Sequence, residues 1–498
     1  MEQREIIPSV FDFFSRSDFY SKETKSLKNI FSQSDLMHLI PLTDRYYDNV
    51  KDLGPFSGEL ALSKYRIITE VKYLLALSGL GVIRLFSAQE KELLLSLSNL
   101  TEEDHRIIKL IERTGYNGKP PVYHDVRAVE NYVREKLSST SLKDITPWIH
   151  FGLTSDDTNN ISYALLHTEL LNSVIKPNLE AVLSELLMLS QKFKGQVMIA
   201  RTHGQPATPT TFGKEFFVFY ERIRKEKEHL FSLNYEAKLN GATGTFSAHV
   251  AAFPQYDWKN FSLNFIESLN DPQHFLKIKA NLITTQIEPH DSFARICDSM
   301  RRINVILIGF CQDVWGYTSD GWLTQKTGKT EGFSYVGSSS TMPHKLNPTD
   351  FENAEGNLGL ANALFEFFSG KLLISRFQRD LSDSSVMRNS ILPFAYSLNA
   401  YRALLKGFTK MDVHAEKIKE FVNENPEVIA EGIQTILRAN GDDSAYDKMK
   451  EFLRGKRVSL DEIRTFLMTL PVSDEVKLRL LSLSPWNYYG LASELVSE

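Results

Sequence analysis

Apolar side chains recur at three- and four-residue steps along residues 159–193: Leu165, Leu166, Leu170, Leu171, Val174, Ile175, Leu179, Val182, Leu183, Leu186 and Leu187. That spacing predicts one long helix with a broad apolar face, bent near Pro177, whose ring removes a backbone donor. Similar periodicity predicts helices over residues 212–233, 289–315, 351–373 and 394–408, while alternating strand-like stretches are scarce. Helices this long, separated by Gly- and Pro-bearing loops, point to an all-α fold built on an elongated helix bundle. Three helical domains are expected: residues 1–143 with an N-terminal extension, a central long-helix bundle over 144–408, and a small C-terminal domain over 409–498, where charge rises and helical pieces shorten.

The 498 residues exceed what one compact core needs, which fits that division. With 42% hydrophobic and 24% charged residues the chain is of ordinary globular composition. Its net charge of −5 argues against nucleic-acid binding through bulk charge. The longest apolar run, residues 305–310, is far too short to cross a bilayer, and the first seventeen residues mix acids with phenylalanines unlike a signal peptide. A cytoplasmic protein with no membrane partner is expected. Cys297 and Cys311 fall on one predicted helix, roughly 20 Å apart by helical rise, so they are expected as reduced structural thiols.

Three loops carry candidate chemistry. In Gly337-Ser-Ser-Ser-Thr-Met-Pro-His-Lys-Leu-Asn-Pro348, small hydroxyl residues and a lysine precede a predicted helix, a composition able to offer backbone N–H groups and a cation to an anion. A serine linker is the bland alternative, but linkers rarely run into M-P-H-K-x-N-P. Ala200-Arg-Thr-His-Gly-Gln-Pro-Ala-Thr-Pro209 embeds a histidine that alone would read as a surface residue. Thr154-Ser155-Asp156-Asp157 reads as a helix N-cap, with Ser155 or Asp156 as the cap. A helix N-terminus is also a carboxylate site, so both readings hold together.

Taken together these blocks resemble the fumarase/aspartase superfamily, whose signature is similar to G-S-S-x-M-P-x-K-x-N-P, and His344 in its variable slot points to the adenylosuccinate lyase family. The resemblance covers the chain from about Thr43 onward and implies a role for each matching residue. Ser339, six residues before Lys345, matches the general base. Ser340 or Ser338 is the alternative, because this chain has three serines where the family usually has two. His203, in the segment similar to R-T-H-x-Q-x-A, matches the general acid, with Thr202 beside it and Glu352 as its carboxylate partner. Lys345 and Asn347 match the groups that stabilise developing charge, and Thr154 and Ser155 match carboxylate ligands.

Further segments select the substrate. Arg45-Tyr46 resembles the pair that holds a nucleotide phosphate, although Asp44 stands where glycine is usual. His124-Asp125 matches the H-D-V segment of the same pocket, preceded by an apparent insertion over residues 115–121. Thr284-Thr-Gln-Ile-Glu-Pro-His-Asp291 is similar to a bacterial family block in which Gln286 contacts substrate; Glu288 and His290, taken alone, read as polar residues at a helix start. Arg379, Ser384 and Arg388 match a phosphate-and-carboxylate segment, where arginine forks suit both groups.

The resemblance implies β-elimination of fumarate from adenylosuccinate, giving AMP, and from the succinylaminoimidazole carboxamide ribotide (SAICAR), giving AICAR. It also implies a homotetramer whose sites draw on three chains. No cofactor is expected and no metal: the sequence has no H-E-x-x-H, no zinc-type cysteine spacing and no G-x-G-x-x-G after a strand. The rivals are another substrate within the superfamily, against which Arg45, Arg379 and Arg388 argue, and an inactive scaffold, against which the retained serine, histidine and lysine argue.

Overall fold

A computed structural model describes residues 40–497 except 327–328, 331–332, 335–340 and 343. The long apolar face folds as α4 (Ser155–Leu170), a π-helical turn over Leu171–Ile175, and α5 (Lys176–Lys192). The irregularity lies immediately before Pro177, where the missing N–H leaves the preceding turn free to widen. Asn172 takes advantage of that turn: its Oδ1 accepts from the backbone N–H of Phe275 at 2.9 Å, and its Nδ2 donates to Leu276 O at 3.2 Å.

Around this axis stand α1 (Gly58–Leu80), α2 (Glu102–Arg113), α3 (Asp125–Leu137), α6 (Phe212–Ser232), α7 (Asp291–Ser319), α8 (Thr349–Lys371), α9 (Ser382–Met387) and α10 (Leu392–Lys410). Within the unit formed by Leu53–Glu498, α6 packs on α5 and α7, α7 on α8, α8 on α10, and α10 back on α5, which closes a bundle. Phe310 of α7 sits at its centre, with ring centroids 5.3 Å from Phe219, 5.5 Å from Phe408 and 6.1 Å from Phe351. Truncating so buried a ring to alanine costs about 3–5 kcal/mol. At Gly407 a Cβ would stand 2.9 Å from the Phe351 ring, so glycine is what lets α10 and α8 come together. Cys297 and Cys311 are free and buried on α7, and burial pushes both thiols up, away from reactivity.

The chain is mostly helical, as the periodicity predicts. The strands among the described residues are short and pair two by two. β1 (Val197–Thr202) and β2 (Gln205–Thr211) form an antiparallel hairpin that the sequence reading did not mark. β3 (Asn234–Ala237) lies parallel to β4 (Lys277–Ala280), and β5 (Leu323–Gln325) pairs antiparallel with Met411–Val413. No described helix is long and apolar enough to cross a membrane.

Candidate active site

The first turn of α4 is over-determined. Its cap is Thr154, one residue earlier than expected, and the Thr154 N–H donates to Asp157 Oδ2 at 2.8 Å. Asp157 also accepts from the N–H groups of Asn240 (3.0 Å) and Gly241 (3.1 Å) and pairs with Lys238 Nζ at 3.1 Å, both side chains fully buried. The loop over residues 238–241 is thereby tied to the helix start. Gly152 sets the approach: its φ is +69°, and a Cβ there would meet the His249 ring at 2.7 Å. Thr154 and Ser155 are half-buried, with the free N–H groups of the helix start beside them.

Asp125, at the start of α3, is gripped by two arginines. Arg66 of α1, almost fully buried, places Nη2 2.6 Å from Asp125 Oδ2 and donates its Nε–H to Asn159 Oδ1 at 2.8 Å. Arg388 places Nη2 2.7 Å from the same carboxylate oxygen and bonds Glu59 through Nη1. Burial disfavours the charged carboxylate, yet Arg66 and Arg388 outweigh it and hold Asp125 well below the usual carboxylate range. His124 caps α3, its Nδ1 accepting from the Arg127 N–H at 3.4 Å, with its side chain exposed.

Two more candidates are bonded directly: Arg379 Nη1 donates to Gln286 Oε1 at 3.2 Å. Gln286 Nε2 donates to Ala242 O at 3.1 Å, and Thr285 Oγ1 to Gln378 O at 2.9 Å, so the block around Gln286 bridges two other segments. Beneath it lies a buried polar junction. The Glu288 N–H donates to Asp156 Oδ2 at 3.3 Å, the His290 N–H donates to Glu288 Oε2 at 2.7 Å, and His290 Nε2 stands 3.8 Å from Asp383 Oδ2. Burial pushes Asp156 up to about 6 and Glu288 up to about 7. For His290 burial acts downward, but the carboxylates of Asp383, Glu288 and Asp156 prevail and raise it. Asp383 is the residue before Ser384, which is half-buried in α9.

No hydrogen bond or ion pair among the described residues joins Thr202, His203, Lys345, Asn347 or Glu352 to the groups above. Thr202 and His203 occupy the tip of the β1–β2 hairpin; His203 (φ +54°) and Gly204 (φ +74°) form its two-residue turn, and both candidates are exposed. The hairpin is braced by Arg201, which pairs with Asp320 at 2.9 Å and lies over the Trp322 and Phe421 rings. Lys345 is exposed, Asn347 half-buried, and Glu352 exposed on the first turn of α8. Among the described residues no hydrogen bond or ion pair joins His203 to Glu352. Ser339, with Ser338 and Ser340, lies outside the described residues. Arg45 and Tyr46 belong to the separate unit ending at Asp52, where the guanidinium carbon stands 6.0 Å from the Tyr46 ring centre.

Arg66 and Glu59 were not singled out by sequence reasoning and carry no motif that could have found them; Asp156 was read only as a possible helix cap, Asp157 only as part of that cap segment, and Asp383 lies unremarked in the segment that holds Arg379 and Ser384. Among the described residues no group of three or more His, Cys, Asp or Glu could hold a metal ion. A concavity of about 510 Å³ between the helices Ala430–Ala439 and Ala445–Leu453 contains none of the candidates.

Comparison with known proteins bears on what this arrangement belongs to. Residues 43–362 match a family model described as lyase, and residues 375–489 match one described as adenylosuccinate lyase C-terminal. An adenylosuccinate lyase of Legionella pneumophila (strain Corby) is 41% identical over 461 residues, covering 92% of this chain and 97% of the relative. That of Escherichia coli (strain K12) is 40% identical over 470 residues, covering 93% and 99%. Among solved structures, a fumarate lyase from Mesorhizobium sp. BNC1 aligns with a TM-score of 0.67 at 16% identity over 90% of this chain and 96% of that one. The 3-carboxy-cis,cis-muconate lactonizing enzyme from Pseudomonas putida aligns at 0.66 and 18%, over 92% and 97%. At that identity the two structures speak for the fold alone, whereas the family models and the long alignments at about 40% decide the rest: the chain belongs to the adenylosuccinate lyase family.

Proposed function

We propose that the chain cleaves adenylosuccinate to AMP and fumarate, and SAICAR to AICAR and fumarate, by β-elimination. The reacting proton sits on a carbon beside a carboxylate and is weakly acidic. Its removal spreads a second negative charge over that carboxylate, so catalysis must come from groups that stabilise this state more than the substrate. Ser339, as the alkoxide, takes the proton; Lys345 and Asn347 supply the positive field that raises the acidity of the serine hydroxyl, so that the alkoxide is available, and that stabilises the carboxylate. The C–N bond then breaks, its electrons pass to nitrogen, and His203, charged and paired with Glu352, protonates that nitrogen. Thr154 and Ser155 at the α4 N-terminus take a succinyl carboxylate, while Arg45, Tyr46, His124, Gln286, Arg379, Ser384 and Arg388 hold the nucleotide, with Asp125 fixing Arg388.

The observation that supports this most is the bonded pair Arg379–Gln286, together with Arg388–Asp125, each of which links blocks far apart in sequence. A homotetramer that acts in the cytoplasm and shares its sites between chains is part of the proposal. Exposed Val218, Val305, Trp315, Leu360 and Phe367 on α6, α7 and α8 support it, as does the exposure of His203 and Glu352. The test is ultraviolet absorbance of adenylosuccinate with purified protein and with the Ser339→Ala and His203→Ala variants. Conversion to AMP and fumarate, abolished in both variants, is the expected result. Activity surviving in Ser339→Ala alone would move the base to Ser340 or Ser338, and no turnover by the intact protein would overturn the proposal.

A further inference from the structure

Three of the substrate-binding segments meet at one buried junction around His290: Asp383 faces its imidazole, Glu288 accepts from its backbone N–H, and Asp156 accepts from the Glu288 N–H. Asp156 follows Ser155 on α4, Glu288 lies two residues after Gln286, and Asp383 precedes Ser384 on α9. All three carboxylates and His290 are less than a tenth exposed. Lys238 pairs with Asp157 and Arg379 bonds Gln286; from there both also act on Asp156, and Arg379 on Asp383, while His167, stacked on Phe293 and held neutral by burial, brings no charge. Three buried carboxylates drawn together without a cation would repel and drive their segments apart. His290 is the cation placed among them, and it is held in the left-handed region (φ +61°), a conformation that a non-glycine residue keeps only when its surroundings over-determine it. At the Asp383 side, His290 Nε2 and Asp383 Oδ1 are both buried without a hydrogen-bond partner across the 3.8 Å ion pair.

We propose that His290 is a positioning residue for substrate binding: its imidazole holds the α4 N-terminus, Gln286 and the Ser384–Arg388 segment at the spacing that fits the nucleotide, and the pair with Asp383 tightens when substrate occupies the site. His290 touches no reacting atom, and the inference rests on the activity proposed above. Removing it weakens binding of the part of the substrate that does not react, which appears in KM and leaves kcat nearly alone.

The experiment is steady-state kinetics of the full chain with adenylosuccinate, comparing the unaltered protein with His290→Gln and Asp383→Asn, each first checked for native circular dichroism. Both variants are expected to raise KM by about tenfold or more, with kcat within about threefold. Should His290→Gln fail to fold, Asp383→Asn decides. KM unchanged in a folded variant, or a fall in kcat with KM constant, overturns the inference while leaving the activity standing. Absence of turnover in the unaltered protein overturns the activity itself, and the inference with it.

Discussion

The wall formed by the α4 N-terminus, Gln286–Arg379 and Asp125–Arg388 differs sharply from the elements that carry His203, Lys345 and Glu352. In the wall Gln286 is bonded to Arg379 and Asp125 to Arg388, and the supporting groups Arg66, Asp157 and Lys238 are buried. His203 stands exposed at a hairpin tip, and Lys345 and Glu352 are exposed as well. One region is pre-organised within a single chain and saves the cost of ordering at binding. The other leaves its groups exposed to solvent.

On that contrast, the largest separation of activity from stability is expected at the hairpin. His203→Ala is expected to lower kcat by about 10³–10⁴-fold while changing unfolding free energy by less than about 0.5 kcal/mol. Urea melts beside turnover measurements would check it, and an equal loss of both would break the comparison. Asp157→Ala should do the reverse. It leaves Lys238 buried without its carboxylate and frees the loop over residues 238–241, at a cost of about 3–5 kcal/mol, read as a lower urea midpoint.

A third, smaller effect follows from the buried junction. Glu288 at about 7 and Asp156 at about 6 are raised above their unfolded values, and His290 is raised too. Groups so raised contribute stability at low pH and lose it as pH rises through the folded values. Asp125 is depressed and acts oppositely, losing its contribution only as pH falls below the unfolded carboxylate range. Stability should therefore fall between about pH 4 and 7, by on the order of 1–3 kcal/mol. Glu288→Gln should flatten that slope. An unchanged slope would mean that the charges at the junction are already balanced.

The two regions also differ in how far the sequence could disclose them. The long helices were legible because an apolar face repeated over many turns leaves little other solution, and even the break near Pro177 showed. The hairpin was not: Val197–Met198–Ile199 is apolar without alternation, and Pro206 and Pro209 in β2 hide its strand character. The α4 cap was read one residue late because Thr154, Ser155 and Asp156 all have capping chemistry. Arg66 was invisible because it lies mid-helix and meets Asp125, 59 residues away, only after folding. Glu288 and His290 read as polar residues of a helix start, and His290 is indeed the cap of α7; its neighbours Asp156 and Asp383 come from distant segments.

The smallest expected effect probes how the wall is poised. Arg388 divides its guanidinium between Asp125, which Arg66 also grips, and Glu59, which Lys109 also approaches at 3.8 Å. The Glu59–Arg388 pair is more than a third exposed on both sides, so it stabilises the fold by about 1 kcal/mol at most. Its consequence lies in binding: an anionic nucleotide reaching Arg388 must displace Glu59 but leaves Asp125 in place. Glu59→Gln keeps the size of the side chain and removes its charge, so it should lower KM for adenylosuccinate about two- to fivefold with kcat unchanged. A higher KM instead would show that Glu59 aims the guanidinium rather than occupying it, and that the wall relies on Glu59 as well as Asp125.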